Sequence, residues 1–193
     1  MLLPLGPLLC ARCGAPTAWP VERCRECDGR RIAFASARAA VQYAGPARAF
    51  VRGWKERGVR PLASVAAELV VAHVPRPEAA DVITYIPPDG DRSRRRGHQP
   101  AEGLARELAR RWHLEVAPIL VRRRRVRRQT GLPLAERRRN VRGAFGASSR
   151  VRGTVVLVDD VYTTGATAAA AASALRAGGA GAVHVVTFAR VVR

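Results

Sequence analysis

Apolar residues recur along this chain in two rhythms. From Ala47 onward, Phe50, Val51 and Trp54 fall at helical spacing, and the helix should stop near Gly58. Leu62, Val65, Ala66, Leu69 and Val70 share one face and predict a second helix over residues 62–73, closed off by Pro75 and Pro77. Ahead of these, residues 32–43 read as a connector and strand pair ending in the turn Tyr43-Ala44-Gly45-Pro46. Afterwards the rhythm alternates. Residues 82–86 (VITYI) predict a strand, 87–97 a loop, 101–112 a helix and 114–121 a further strand. Residues 122–143 are arginine-rich with weak periodicity. Residues 154–158 (TVVLV) predict a buried strand, 165–177 an alanine-rich helix ending at Gly178-Gly179, and 182–188 a last strand. Strands alternating with helices predict an α/β fold, a parallel sheet with helices on both faces.

Composition narrows the class. With 193 residues, 48% of them hydrophobic, the chain can bury one core and carry a small appendage. No apolar run approaches the roughly 20 residues needed to span a bilayer. The opening stretch is short, holds two prolines and has no basic region, so it reads as neither signal peptide nor anchor. A cytoplasmic protein is expected. The net charge is +19, and every basic residue except Lys55 is arginine. With the heavy use of Ala, Gly and Pro, part of that excess reflects compositional bias. The functional reading is an anionic partner, either nucleic acid or a small polyphosphate.

All four cysteines lie in the first 27 residues: Cys10 and Cys13 form one Cys-x2-Cys and Cys24 and Cys27 another, with ten residues between the pairs. Gly14 follows the first pair and Asp28-Gly29 the second, giving each the turn residues of a metal knuckle. Four thiolates with no open position describe a structural zinc site over residues 1–31. The alternative is two disulfides, which a reducing cytosol disfavours. So few apolar residues could hardly fold without the metal.

The most informative stretch is VVLVDDVYTTGAT, residues 155–167. A buried strand leads into Asp159 and Asp160. A turn containing Tyr162, Thr163, Thr164 and Gly165 then opens a helix at Ala166 and Thr167. In parallel α/β sheets ligands sit beyond the carboxyl ends of strands. Backbone N–H groups at a helix start favour an anion, Gly165 permits close approach, and the threonine hydroxyls add donors. Two acids beside a phosphate must meet something other than phosphate, and sugar hydroxyls or magnesium suit them. A sugar phosphate satisfies both halves. A Walker B strand would need a Gly-x4-Gly-Lys-Ser/Thr loop, which the single lysine, in Gly53-Trp54-Lys55-Glu56-Arg57, does not supply. Helix capping explains one acid but not two acids and three threonines.

This stretch resembles the phosphoribosyl pyrophosphate (PRPP) motif of type I phosphoribosyltransferases. The whole chain from Cys10 to Arg193 is similar to the ComF/GntX family, a cysteine ribbon followed by that domain. Three further patches carry the likeness. Arg94-Arg95-Arg96-Gly97-His98-Gln99 resembles the family's arginine loop ending in Arg-Gly-Phe-Asn-Gln. Gln129, Leu132, Arg137, Asn140 and Ala144-Phe145 match its spaced pattern. Trp54-Lys55-Glu56-Arg57-Gly58 resembles its Leu-Lys-Phe-Arg-Gly patch. The chain departs in having His98, Gln99 and Pro100 where Phe, Asn and Gln are frequent, Glu56 in place of Phe, and a single four-cysteine cluster.

The resemblance implies a phosphoribosyltransferase domain over residues 32–193, with 122–143 as a hood over the site. Asp159 and Asp160 would accept the ribose hydroxyls. The turn from Tyr162 to Thr167 would hold the 5′-phosphate, and magnesium would accompany PRPP. Arg94, Arg95 and Arg96 would clamp the pyrophosphate, with Arg96 alongside the acids as a catalytic group. At least one of Arg127, Arg128, Arg137 and Arg139 would add a contact. Positive charge on the leaving group would lower the barrier to transfer. His98 reads as a hydrogen-bonded loop residue, and the Tyr162 ring as covering a base or facing solvent. The expected activity is phosphoribosyl transfer to an unidentified acceptor, linked by the resemblance to DNA uptake. The alternatives are a PRPP or nucleotide sensor without turnover, or a single-stranded-DNA binder working with DNA-uptake proteins. The scarcity of aromatics for stacking weighs against the last.

Overall fold

The structure is a computed structural model that describes residues 1–88, 98–123, 141 and 143–192. Its centre is a sheet of five parallel strands. In chain order the elements are β1 (Ser36–Gln42), α1 (Gly45–Glu56), α2 (Leu62–His73), β2 (Ala80–Tyr85), α3 (Pro100–Trp112), β3 (Glu115–Val116), β4 (Leu120–Arg122), β5 (Phe145–Ala147), β6 (Thr154–Tyr162), α4 (Ala166–Ala177) and β7 (Ala182–Arg190). The strand order is β1-β7-β6-β2-β3, with β4 and β5 forming a separate antiparallel pair.

β6 is hydrophobic on both sides because both faces of the sheet are covered. Val156 and Val158 pack with Ile83, Val186 and Phe188 under α1, α2 and α3. Val155 and Leu157 pack with Val183 and Val185 under α4, in the cluster that also contains Cys10, Cys13 and Cys27. The cysteine segment therefore shares a core with the sheet. Helix boundaries follow local chemistry. Pro100 opens α3 after an extended Gln99, and a left-handed His113 (φ 53°) closes it.

Four expectations need correction. The face of α2 is turned from the one expected: Ala63, Ala66, Ala67 and Val70 are buried, while Val65 is exposed and Leu62 and Leu69 are half-buried. Residues 32–43 hold one strand, not a pair. The strand expected over 114–121 is two short ones, because Pro118 interrupts it: β3 joins β2 in parallel while β4 turns to β5. The strand expected to end at Val158 continues to Tyr162 in register with β7 through Arg190. Among the described residues no helix is long and apolar enough to cross a membrane.

The topology sets one crevice apart. From β2 the chain crosses through α3 to the edge strand β3. From β6 it crosses through α4 to β7 on the other side. Adjacent β2 and β6 thus form a topological switch point, and the crevice beyond their carboxyl ends is where such sheets bind ligands.

Candidate functional site

The crevice is floored by the end of β6. The Ile86 N–H donates to the Val158 carbonyl at 2.9 Å, so the chain after β2 leaves directly beside Asp159. Asp159 Oδ1 accepts the N–H of Asp160 at 2.9 Å. Asp160, on the α1 side, receives Lys55 Nζ on Oδ2 at 2.6 Å. Desolvation, then the neighbouring Asp160 charge, push the Asp159 carboxyl up to about 7. Burial works to lower Lys55, but the charges of Asp160 and then Asp159 outweigh it and hold the ammonium above the ordinary lysine value.

The turn that follows is tightly determined. Gly165 has φ +70°, and a Cβ there would lie 2.1 Å from the Tyr162 hydroxyl, so glycine is required twice over. Thr164 is buried, and its Oγ1 accepts the N–H of Ala166 at 3.2 Å. That donor is therefore occupied from within. Thr163 and Thr167 are half-buried beside it. The Tyr162 ring takes neither expected place, over a base or in solvent: it is buried edge-on to Phe34, 6.3 Å between centroids, beneath the Arg190 guanidinium at 4.5 Å. Its hydroxyl has no hydrogen-bond partner among the described residues.

The cysteine segment docks on this turn. Cys10 Sγ lies 3.9 Å from Cys27 Sγ, and Cys13 Sγ lies 3.5 Å from Cys24 Sγ. All four sulfurs fall within 4.8 Å of one another. Bonds of about 2.3 Å to a tetrahedral centre set sulfur–sulfur edges of about 3.8 Å, so the cluster fits one metal ion. The separations exceed a disulfide bond of about 2.05 Å, and the cysteines are unpaired. The Cys24 N–H donates to Cys10 Sγ at 3.3 Å, as suits a thiolate. Arg190, 1% exposed, donates from Nη1 to the Cys13 carbonyl at 2.6 Å and from Nη2 to Glu26 Oε2 at 2.7 Å. Arg30 donates to the carbonyl of Thr164 at 3.0 Å.

The rims of the crevice are anchored. His98 Nε2 donates to the Trp54 carbonyl at 2.5 Å, as expected of a hydrogen-bonded loop residue. Arg122 donates to the carbonyls of Pro87 and Pro88 at 3.0 and 3.2 Å. Arg94, Arg95, Arg96 and Gly97 lie outside the described residues. So do Arg127, Arg128, Gln129, Leu132, Arg137, Arg139 and Asn140. Sequence reasoning assigned no role to Lys55, Arg30 or Arg190. Lys55 had a signal: it continues the Ala47–Val51 stripe of α1 at i, i+4 spacing. Arg190 had a weaker one, a charge closing an otherwise apolar strand.

Two expectations follow. Asp159 lies above its ordinary value when folded, so the folded chain holds an extra proton between about pH 4 and 7, and ionisation costs stability as pH rises through that window. The melting temperature of ligand-free Asp159→Asn should therefore gain on wild type as pH is raised from 4 to 7.5 (about the limits just given). Arg190→Leu leaves Glu26 and the Cys13 carbonyl without their donor. It should lower the unfolding free energy by about 3 kcal/mol in chemical denaturation and speed amide exchange over residues 163–167.

No protein-family model matches the chain. Among solved structures, glutamine PRPP amidotransferase from B. subtilis, complexed with ADP and GMP, aligns with a TM-score of 0.41 and 26% identity over 66% of this chain and 25% of that one. TT1426 from Thermus thermophilus aligns with a TM-score of 0.37 and 21% identity over 68% of this chain and 83% of that one. Among curated sequences, the DNA utilization protein YhgH of Escherichia coli K12 is 30% identical over 185 residues, covering 92% of this chain and 82% of its own length. Its Salmonella typhimurium counterpart is 29% identical over 188 residues, with the same coverage. On the strength of a likeness that runs through nearly its whole length, the chain belongs to the family of the DNA utilization protein YhgH.

Proposed function

We propose that this protein binds PRPP in the crevice beyond β2 and β6 and transfers its phosphoribosyl group to an acceptor in DNA utilization. The observation that carries the reading is the pairing of two adjacent carboxylates with a glycine turn that opens a helix, at the switch point of a parallel sheet. In this reading Asp159 and Asp160 accept the ribose hydroxyls, and the turn over residues 162–167 receives the 5′-phosphate through its backbone, apart from the Ala166 N–H that Thr164 already takes and without the buried Tyr162 side chain. The arginine loop, with Arg94, Arg95 and Arg96, meets the pyrophosphate, and residues 122–143 form the hood. Magnesium fits as an ion held largely by ligand phosphate oxygens, since one of the two acids already pairs with Lys55. The Escherichia coli relative's name, DNA utilization protein, supports the biological setting. Cytoplasmic placement belongs to the same reading.

Residues 1–31 are proposed as a zinc ribbon and 32–193 as the transferase-type domain. The all-sulfur donor set favours zinc over harder ions. Because Arg190 and Arg30 tie this ribbon to the turn, the metal acts structurally on the ligand site.

A second reading, single-stranded DNA binding, draws on the +19 charge and on Trp19, which is 68% exposed in a segment rich in arginine. A nucleotide sensor would use the same crevice without turnover.

Metal analysis of purified protein should give one zinc per chain, and Cys24→Ser should lower that content. In calorimetry with magnesium, Asp159→Ala/Asp160→Ala should weaken PRPP binding about a hundredfold, the loss of two hydrogen bonds to charged groups, with DNA affinity unchanged. Pyrophosphate release across a panel of bases separates transfer from sensing. PRPP affinity unaffected by the double substitution overturns the proposed site.

A further inference from the structure

Ala47 and Val51 lie on the buried face of α1, and the next position on that stripe is Lys55. Trp54 beside it is fixed against Phe188, 6.3 Å between ring centroids, with Phe50 stacked on Phe188 at 4.5 Å. The helix is thus anchored to β7 by aromatic packing, and the lysine is carried inward by that anchoring. Position 55 is half-buried at the end of that stripe, where the side chain reaches the carboxyl end of β6. The chain has 34 basic residues and places its sole lysine there.

The two carboxylates are each held through one oxygen. Asp159 Oδ1 accepts the Asp160 N–H, and Asp160 Oδ2 accepts the Lys55 ammonium. Each has a second oxygen, Oδ2 of Asp159 and Oδ1 of Asp160, that neither of these contacts takes, and the two carboxyl groups are close enough to hydrogen-bond each other, an interaction a diol would replace. Two acceptors so placed suit the adjacent hydroxyls of a sugar. The residue type matters. An arginine fork engages a carboxylate through both oxygens, whereas an ammonium takes one as a point charge.

We propose that Lys55 is a positioning residue for sugar recognition: it pins one oxygen of Asp160 so that the other, together with Asp159, accepts from a vicinal diol. This rests on the sugar-phosphate reading of the crevice. It also accounts for a lysine at this position in a chain whose other permanently charged basic side chains are all arginine.

The experiment is calorimetry of full-length wild type, Lys55→Arg and Lys55→Met with three probes: ribose 5-phosphate, 2-deoxyribose 5-phosphate and inorganic phosphate. Wild type should prefer the ribose over the deoxyribose ester by about tenfold or more, the worth of a hydrogen bond to a charged group. Both variants should lose most of that preference, with inorganic phosphate affinity held within about twofold, since the phosphate donors are untouched. Lys55→Arg keeps the charge and decides the matter where Lys55→Met fails to fold. A full preference retained in Lys55→Arg overturns the positioning role while leaving the crevice reading intact. A parallel loss of inorganic phosphate affinity also overturns it, making Lys55 an anion contact instead. Wild type that binds none of the three probes overturns the crevice reading and the inference with it.

Discussion

A single buried guanidinium ties the two halves of this molecule together. Arg190 ends the strand next to β6 and is 1% exposed. A charge so placed is tolerated only when paired and hydrogen-bonded. Its partners are the Cys13 carbonyl, the Glu26 carboxylate and the face of Tyr162. Two of these belong to the cysteine segment, and the third begins the glycine turn. Neither the segment nor the turn can shift without stranding that charge. Arg30 repeats the link by holding the carbonyl of Thr164. The cysteine segment is therefore fastened to the glycine turn both through Arg190 and through Arg30.

The opposite side of the turn is held by a different device. Asp160 faces α1, where Lys55 meets it, and α1 is set by the aromatic packing of Phe50 and Trp54 on Phe188. β6 thus ends between two cationic supports, Arg190 toward the cysteines and Lys55 toward the helices. The strand's extension to Tyr162 makes this possible. Had it ended at Val158, as its apolar run implies, the acids would lie in a free loop with no register to β7. Pairing of Val161 with Ala189 and of Tyr162 with Arg190 carries the acids on a rigid element instead.

The parallel α/β class was legible because β6 and β7 are largely apolar runs and because α1 and α3 carry clear helical stripes; α2 is apolar nearly all round, so its buried face could not be read. The cysteine cluster was legible because spacing alone brings thiols together. The acid pair and the glycine turn were legible as a motif. What could not be read were contacts between residues remote in sequence. Lys55 and Asp160 are separated by most of the fold, and nothing local to either names the other. Tyr162 was misplaced for a related reason. Past Asp160 the strand's alternation reverses, with Val161 on the helical side and Tyr162 on the cysteine side. A period-two count cannot anticipate a reversal imposed by Arg190 and Phe34. Pro118 splitting the strand after α3 was readable, since proline removes a ladder donor, but the apolar run masked it.

The electrostatics of the crevice also argue for preorganisation. The chain is strongly cationic, yet the floor of its crevice holds two carboxylates, one of which resists ionisation near neutral pH. Leaving such a pair close together in a desolvated place costs stability, and Lys55 relieves only part of that cost. In the proposed reading, hydroxyl donors and a ligand-borne cation would stabilise the charged pair that the protein alone disfavours. Meanwhile Arg122 holds the carbonyls of Pro87 and Pro88, and its guanidinium lies 4.8 Å from the centre of the Phe145 ring. The start of the loop after β2 and the start of the arginine-rich segment are thereby fastened at one point. The switch point thus has acceptors on a paired strand and chain ends already anchored, so that, in the proposed reading, less of a ligand's binding energy would go into ordering these parts of the protein.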